Sequence, residues 1–329
     1  MTLMVWLSEV AASMPFGHQY VAKPYFWILL VYVLALGLWA LPIAFKTKRT
    51  GSLILLGVLL IGLSVERSAS RGEFKLTVLP LGSGSSLFVD SHDEKPLLID
   101  CGSESGSRFS VVPFLRTRGY DEPPLSLVTH GERHHVQGFG ELARAMSLPN
   151  LILNPTKFNS PYYKELVEAA DVADAASIVV ARGNSVAGWD VLHPASGDRL
   201  PKADDNATVL AREVHGVRVL LLSDLGEAGQ VNLLESGQDL RCDIVVVSMP
   251  GVGEPLGQAL LEAISSKAIV LSAGTFPSAG LLECLAKRDV PLLNTLEDGG
   301  VEIVIRPGGL WQVESMTGRL AMGGGSAAE

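Results

Sequence analysis

Cysteine is scarce in this chain, which has only 3 Cys among its 329 residues. The three never approach the CxxC spacing, so the sequence offers neither a zinc ribbon nor a multi-disulfide scaffold. A serine-hydrolase elbow is also missing, because neither Ser223 nor Ser248 lies within a GxSxG motif. The function must therefore be sought in other residue types.

Basic residues are scarce after the first 72 positions. Residues 1–72 hold six basic and two acidic residues, whereas the remaining 257 hold 20 basic against 33 acidic ones. Proteins that bind nucleic acid by neutralising phosphates usually have a basic surplus. The acidic portion therefore counts against simple electrostatic DNA binding, although a local basic patch or a metal-bridged contact remains compatible with it.

Long apolar runs occur only near the N-terminus. The run at 24–45 has 22 residues without a charge, enough at about 1.5 Å per residue to cross a roughly 30 Å hydrocarbon core. A second run at about 52–66 is shorter, and Arg49 and Arg67 flank it. We predict that both helices span as a hairpin; a re-entrant or interfacial second segment is the alternative. The basic cluster 46–49 places their turn in the cytoplasm, so both chain ends face outward if both helices span.

The pattern changes at the end of this membrane region, which comprises residues 1–72. From residue 73 onward, short β-rich runs alternate with helical ones, which is typical of a layered domain of helices and sheets. We predict one such domain over 73–316 and a disordered tail over 317–329.

The densest group of candidate metal ligands is Thr-His-Gly-Glu-Arg-His-His-Val-Gln-Gly at 129–138. It follows an apolar strand and opens a helix, and such a turn can bring imidazole and carboxylate groups together on one ion. Asp224 and Asp100 each stand at the end of an apolar strand. Sites in proteins of this class place ligands and bases at such strand ends.

Taken in order, these segments resemble the ComEC family of competence proteins, whose C-terminal domain has the metallo-β-lactamase fold. The resemblance covers nearly the whole chain. It implies an α/β fold, a metallo-β-lactamase-like αββα sandwich preceded by a transmembrane helical hairpin. The motifs that carry it are LPLGSGS at 79–85, LIDCG at 98–102, THGERHHVQG at 129–138, DNAT at 205–208, LLSD at 221–224 and SMPG at 248–251.

The family's metal motif, THxDxDHxGG, is only partly present. His130 and His135 match its first and last histidines, Glu132 stands at the middle ligand position, and His134 replaces the acidic residue before the last His. In a two-metal hydrolase that acidic residue both binds an ion and helps to activate the bound water. The family's HHGS loop reads SMPG at 248–251 and supplies no imidazole.

The resemblance implies candidate site residues at matching positions. We expect the metal ligands to be His130, Glu132, His134, His135 and Asp224, with Asp100 and Asn206 behind them. Glu132, His134 and Asp224 are the candidates for a catalytic role. Such a set suits one zinc or manganese ion; the alternatives are hydrogen-bonded remnants that hold no metal, and a working two-metal site. Whether the chain is an enzyme stays open. The absence of the acidic residue before the last histidine and of the HHGS imidazoles favours a domain that is not an enzyme.

The resemblance also implies a cellular role. We expect a multi-pass protein of the bacterial inner (plasma) membrane whose C-terminal domain faces the periplasm or exterior. The family role is DNA uptake in natural transformation, here with a degenerate, inactive hydrolase domain. The alternatives are an active metal-dependent nuclease or phosphodiesterase that degrades the non-imported strand, and a non-catalytic scaffold for competence proteins. Expected partners are the membrane, single-stranded DNA, and other competence-machinery proteins or a longer channel subunit.

Overall fold

The computed structural model describes residues 4–6, 10, 20–42, 44–91 and 94–324. It divides the chain into two compact units. One comprises residues 1–71 and 114–121, and the other comprises 72–113 and 122–329. Each unit is described by itself below.

The first unit contains a helical hairpin of α1 (Phe26–Ala40) and α2 (Phe45–Ala69). Trp27 Nε1 donates to Glu66 Oε1 at 3.2 Å near the open end, and Trp39 Nε1 donates to Ser52 Oγ at 3.0 Å near the turn. The two helices therefore pack side by side along most of the length of α1.

The helix bounds differ from those predicted. The uncharged run 24–45 does not form one helix, because Leu41 precedes Pro42 and adopts an extended conformation, as residues before proline commonly do. The first helix consequently has 15 residues, about 22 Å, which is less than a bilayer core. The second has 25 residues and is the one helix in the described part of the chain that is long and apolar enough to cross a membrane. The basic cluster 46–49 belongs to its first turn rather than to a loop.

The second unit is built mainly from strands. They are β1 Phe74–Val78, β2 Leu87–Ser91, β3 Leu97–Ile99, β4 Leu125–Leu127, β5 Leu151–Leu153, β6 Ser177–Val179, β7 Ser185–Val186, β8 Trp189–His193, β9 Val209–Val214, β10 Val217–Leu221, β11 Ile244–Ser248, β12 Ala268–Ser272, β13 Leu292–Asn294, β14 Val301–Ile305, β15 Leu310–Ser315 and β16 Leu320–Gly324. They form one nine-stranded sheet in the order β16-β15-β14-β1-β2-β3-β4-β5-β6 and one seven-stranded sheet in the order β13-β12-β11-β10-β9-β8-β7. The last three strands thus return to the sheet that the first six began.

Helical segments connect many of these strands. They are α3 Glu104–Gly106, a π-helical turn at Ser107–Val111, α4 Val112–Thr117, α5 Arg133–Val136, α6 Gly138–Ala145, α7 Pro161–Val172, a 3₁₀ turn at Asp204–Asn206, α8 Glu227–Glu235, α9 Gln258–Ile264, α10 Ala279–Arg288 and α11 Thr295–Asp298. Of these, α4 belongs to the first unit from residue 114 onward. Strands β3 to β6 are mutually parallel, as are β10 to β13. Parallel neighbours need such crossover connections.

The apolar core lies in two layers. Alternate residues of both sheets, such as Leu76 and Val219, share one cluster between the sheets, because side chains alternate between the faces of a strand. A second cluster joins the other face of the seven-stranded sheet to Leu233, Leu260 and Leu285 of its helices. In the nine-stranded sheet, Leu97 and Ile99 belong to the cluster between the sheets, so Leu98 between them lies on the opposite, outer face. Leu98 is fully buried, so the outer face of this sheet is covered as well.

Two facing sheets with covered outer faces confirm the predicted αββα sandwich. One boundary is wrong: strand β16 lies inside the segment 317–329 that we expected to be a disordered tail. Its backbone pairs in register with β15, from Leu310 opposite Gly324 to Glu314 opposite Leu320. Residues 325–329 lie outside the described residues.

Candidate metal site

The candidate site begins where strand β4 ends. His130 follows this buried strand and is fully buried itself. Glu132 occupies the N-cap position of the short helix Arg133–Val136, yet its side chain makes no capping bond. The carboxylate is therefore left available for other partners.

His134 and His135 have opposite environments because consecutive helical residues point about 100° apart. His135 faces the interior and is 3% exposed. The structure leaves His134 exposed, with its Nδ1 2.9 Å from Ser83 Oγ. Among the described residues, His134 is in neither of the two groups of candidate ligands that the fold assembles.

The first group consists of His130, His135 and Asp224, whose ligand atoms lie within 4.8 Å of one another. Both ring nitrogens of His135 already have partners, since Nδ1 is 2.7 Å from Asp100 Oδ2 and Nε2 is 3.1 Å from Asp224 Oδ2. An imidazole can donate to two carboxylates only when it carries both protons. The hydrogen-bonding atoms of His135 therefore have partners within the protein, with an imidazolium held between two carboxylates.

The electrostatics agree with this arrangement. Burial alone would lower the pKa of His135, but the carboxylates of Asp224 and Asp100 outweigh it and raise the pKa well above its ordinary value. Burial would raise the pKa of Asp224, yet His130 and His135 hold it well below its usual range. The buried positive and negative charges therefore stabilise each other.

Asp100 lies behind His135 and fixes the loop that carries His130. Its Oδ1 accepts the Thr129 backbone N–H at 2.9 Å, and its Oδ2 accepts the Thr129 hydroxyl at 2.6 Å. The backbone of Asp100 has φ of 57°, a left-handed conformation that aspartate tolerates better than most residues. The side chain thus turns back from the strand end toward the site.

The second group consists of His130, Glu132 and Asp204, with ligand atoms again within 4.8 Å of one another. His130 Nε2 is 3.7 Å from Asp204 Oδ1. Both of these atoms are buried and have no hydrogen-bond partner. Buried polar atoms are normally satisfied, so two unsatisfied ones beside each other indicate a missing partner, and a cation would suit both.

The charge states in this group also suit a cation. Burial lowers the pKa of His130, which favours the neutral imidazole that metals require. Partial burial and the neighbouring Asp204 carboxylate raise the pKa of Glu132 to about 7. Two carboxylates held this close repel each other unless a proton or a metal ion lies between them.

Asp204 is the site residue that the motif comparison missed. The DNAT match begins one residue later, at Asp205, and directed attention to Asn206. In the structure, the 3₁₀ turn points the three side chains in different directions: Asp204 faces His130, whereas Asp205 accepts the Ala228 backbone N–H at 3.2 Å. Asn206 instead bonds the backbone of Leu200 and Lys202. The sequence feature that could have identified Asp204 is the pair of consecutive aspartates, Asp204 and Asp205, shortly before strand β9.

The loop that replaces the family's HHGS segment still contributes to the site. The Gly251 backbone N–H donates to Asp204 Oδ2 at 3.0 Å. The loop therefore supplies a hydrogen-bond donor to Asp204 where the family motif supplies imidazoles. This contact orients the Asp204 carboxylate while leaving Oδ1 without a partner.

Comparison with known proteins relates this arrangement to other chains. No protein-family model matches the sequence. ComE operon protein 3 of Bacillus subtilis (strain 168) is 23% identical over 259 residues, which cover 71% of this chain and 33% of that protein. The chain thus spans about a third of the length of this curated relative.

Solved structures are also similar. A metal-dependent hydrolase of the β-lactamase superfamily, Tm1679, matches with a TM-score of 0.43 and 14% identity, covering 67% of this chain and 95% of that one. A long-form RNase Z from yeast matches with a TM-score of 0.33 and 10% identity, covering 62% and 38%. The match to ComE operon protein 3 confirms that this chain resembles the ComEC family, as its motifs indicated.

Proposed function

We propose that this chain is a membrane-anchored, ComEC-like component of DNA uptake whose metallo-β-lactamase-type domain holds at most one metal ion and does not hydrolyse DNA. The observation that carries the proposal is the engagement of His135, both of whose nitrogens contact carboxylates. That contact occupies Asp224 Oδ2, and the other Asp224 oxygen accepts the Ser223 hydroxyl at 3.1 Å.

The residues present fit one ion. His130, Glu132 and Asp204 would hold it, since His130 Nε2 and Asp204 Oδ1 are buried without partners. One nitrogen and two carboxylate ligands suit zinc or manganese. A bound ion supplies Lewis-acid polarisation of an oxygen ligand. The protein residues orient that position and exclude water from its buried side.

Among the described residues, the group of His130, His135 and Asp224 could hold a second ion only by giving up the contacts of His135 with its two carboxylates. Two-metal phosphodiester hydrolysis requires ions about 3.5–4 Å apart, each with its own ligands. His134 is directed to Ser83 instead of the site, and the imidazolium of His135 already neutralises Asp224. A second cation would therefore have to displace the His135 proton that lies between the imidazole and Asp224.

The role in DNA uptake rests on the resemblance to the ComEC family. The chain covers only a third of its curated relative. We propose that its partners in this role are other competence proteins or a longer channel subunit. The helix Phe45–Ala69 would anchor it in the inner membrane, with the shorter Phe26–Ala40 as the second arm of the hairpin. By the positive-inside rule, the basic first turn of the longer helix would be cytoplasmic and the C-terminal domain would face the periplasm.

Metal analysis of the purified full chain in detergent tests the proposal. We expect no more than one equivalent of zinc or manganese and no manganese-dependent cleavage of single-stranded DNA. Asp204→Asn should lower metal affinity by about tenfold or more, because it removes a charged ligand from the buried group. His134→Ala, which changes the neighbouring exposed histidine, should leave affinity unchanged.

Other results would refute the proposal. Two equivalents of metal, together with manganese-dependent cleavage that Asp224→Asn abolishes, would establish the active-nuclease alternative. If instead the chain bound no metal, the single-ion site would be refuted, and retention of other competence proteins in a pull-down by a folded His130→Ala variant would support the scaffold alternative.

A further inference from the structure

A cavity of about 720 Å³ opens beside the candidate metal site. Three loops form it: residues 131–134 after β4, 155–162 after β5, and 196–203 after β8. Its volume lies in the range typical of small-molecule sites, about 300–1,000 Å³. Glu132 lines one wall, so the cavity adjoins the metal ligands without including His130 or Asp204.

The cavity is basic although the domain is acidic. Four basic side chains line it: Arg133, Lys157, Arg199 and Lys202. Within the described ranges, none of the four forms an ion pair with a carboxylate. Unpaired cations gathered on a concave surface create a positive potential that attracts an anion.

The acidic residues of the lining do not cancel this charge. Asp198 already interacts with Arg182, whose Nη2 is 3.5 Å from its Oδ2, and it also accepts the Ala195 backbone N–H at 2.9 Å. The lining contains two acidic residues, Glu132 and Asp198, against the four basic ones. The cavity therefore has an excess of positive charge in a domain with a surplus of acids.

Aromatic surface is present in the same cavity. Tyr162 and Phe158 line it, and the Arg133 guanidinium lies 5.7 Å from the centre of the Tyr162 ring. Stacking on such rings stabilises a nucleic-acid base by about 1–3 kcal/mol and works for every base. Thr156 adds a buried hydroxyl oxygen without a hydrogen-bond partner.

We propose that this cavity binds a nucleoside monophosphate, or the phosphorylated terminal nucleotide of a DNA strand, through the phosphomonoester group that they share. The four cations would hold the phosphate, which carries a charge of about −1.5 to −2 at pH 7, and Tyr162 would contact the base. This binding goes beyond the proposed function, because it requires neither a bound metal nor turnover.

Calorimetric titration of the full chain in detergent, with EDTA present, tests the proposal. The probes are adenosine 5′-monophosphate, adenosine, and short oligonucleotides with a 5′-phosphate or a 5′-hydroxyl. We expect the monophosphate to bind and adenosine to bind at least about tenfold more weakly, because charged hydrogen bonds to the phosphate are lost. Binding should also weaken as salt concentration rises.

A pair of double variants separates the cavity from overall charge. Lys157→Ala with Arg199→Ala should weaken monophosphate binding about tenfold or more. Lys95→Ala with Lys287→Ala removes the same charge at exposed positions outside the cavity and should leave binding unchanged. A thermal unfolding curve for each variant shows that it is folded.

The two sources of phosphate are distinguished by the oligonucleotides. Tighter binding of the 5′-phosphorylated strand than of the free monophosphate assigns the site to a strand end, and the reverse assigns it to free nucleotide. Equal binding of adenosine and its monophosphate, or equal affinity of both double variants for the monophosphate, would overturn the proposal. The presence of EDTA keeps these outcomes separate from any failure of the metal site.

Discussion

His134 and His135 are neighbours in the chain, but only His135 reaches the interior. It lies between the buried carboxylates of Asp100 and Asp224, 2.7 and 3.1 Å from their oxygens. His134 bonds an exposed serine instead. The motif aligned both histidines with metal ligands, whereas the short helix directs them to different environments.

Replacing each histidine in turn should therefore give very different results. We expect His135→Ala to lower the free energy of unfolding by about 3–5 kcal/mol, because it leaves buried carboxylates without their cation. His134→Ala should change it by no more than about 0.5 kcal/mol. Thermal unfolding followed by tryptophan fluorescence measures both; equal destabilisation by the two variants would contradict the arrangement described.

The direction of the Asp204 side chain likewise depends on the local conformation of a few residues. A 3₁₀ turn has 3.0 residues per turn, so the three consecutive side chains of this one point in three directions. Only Asp204 reaches His130. A sequence motif records that Asp204, Asp205 and Asn206 are adjacent, but it contains no information on which of them faces the site.

At the scale of elements, the site helix is fixed by a close approach of two backbones. The Cys101 N–H donates to His135 O, and the Gly138 N–H donates to Gly102 O, both at 2.9 Å. A Cβ added at Gly138 would collide with the Cys101 carbonyl oxygen. Glycine is needed there so that the helix following the site can lie against the loop after strand β3.

Two glycines of the same helix provide a matched pair of substitutions. Gly138→Ala should destabilise the domain by about 1–3 kcal/mol, since the backbone atoms that it meets cannot rotate away. Gly140→Ala meets only the far end of Arg144 at 3.9 Å, and it should stabilise the helix by about 0.5–1 kcal/mol. Chemical denaturation of both variants measures the difference, and a neutral Gly138→Ala would show that the approach is looser than described.

At the scale of the whole molecule, the chain combines an apolar hairpin with an acidic domain. The overall charge of −9 conceals a basic segment over residues 1–72 and a more acidic remainder. The basic residues 46–49 stand in the first turn of the longer helix. Their position determines the orientation that we propose.

Reporter fusions test that orientation. Alkaline phosphatase is active only outside the cytoplasm, so a fusion after Glu329 should be active, whereas a fusion after Arg49 should be inactive. The physical reason is the cost of moving the basic cluster across the membrane. Activity of the Arg49 fusion with an inactive Glu329 fusion would place the domain in the cytoplasm and remove the proposed periplasmic role.

Much of the architecture was predictable from local patterns. The apolar runs at 244–248 and 268–272 are typical of buried strands, because parallel strands covered on both faces are continuously apolar. The helix break at Leu41 was also readable from Pro42, yet the uncharged run concealed it. The pairing of β16 was not readable, because its sequence LAMGG has little strand propensity and is held by its neighbour β15.

The sequence by itself determined the alternation of helices and strands, the apolar segment near the N-terminus, the resemblance to the ComEC family and the histidine at position 134, where the family motif has an acidic residue. These depend on side-chain type and spacing along the chain. Only the tertiary structure decided that His135 is held between two carboxylates, that Asp204 joins His130 and Glu132, and that basic residues from three loops share one cavity. Such groupings depend on how distant segments meet, because hydrogen bonds and charges act through space rather than along the chain.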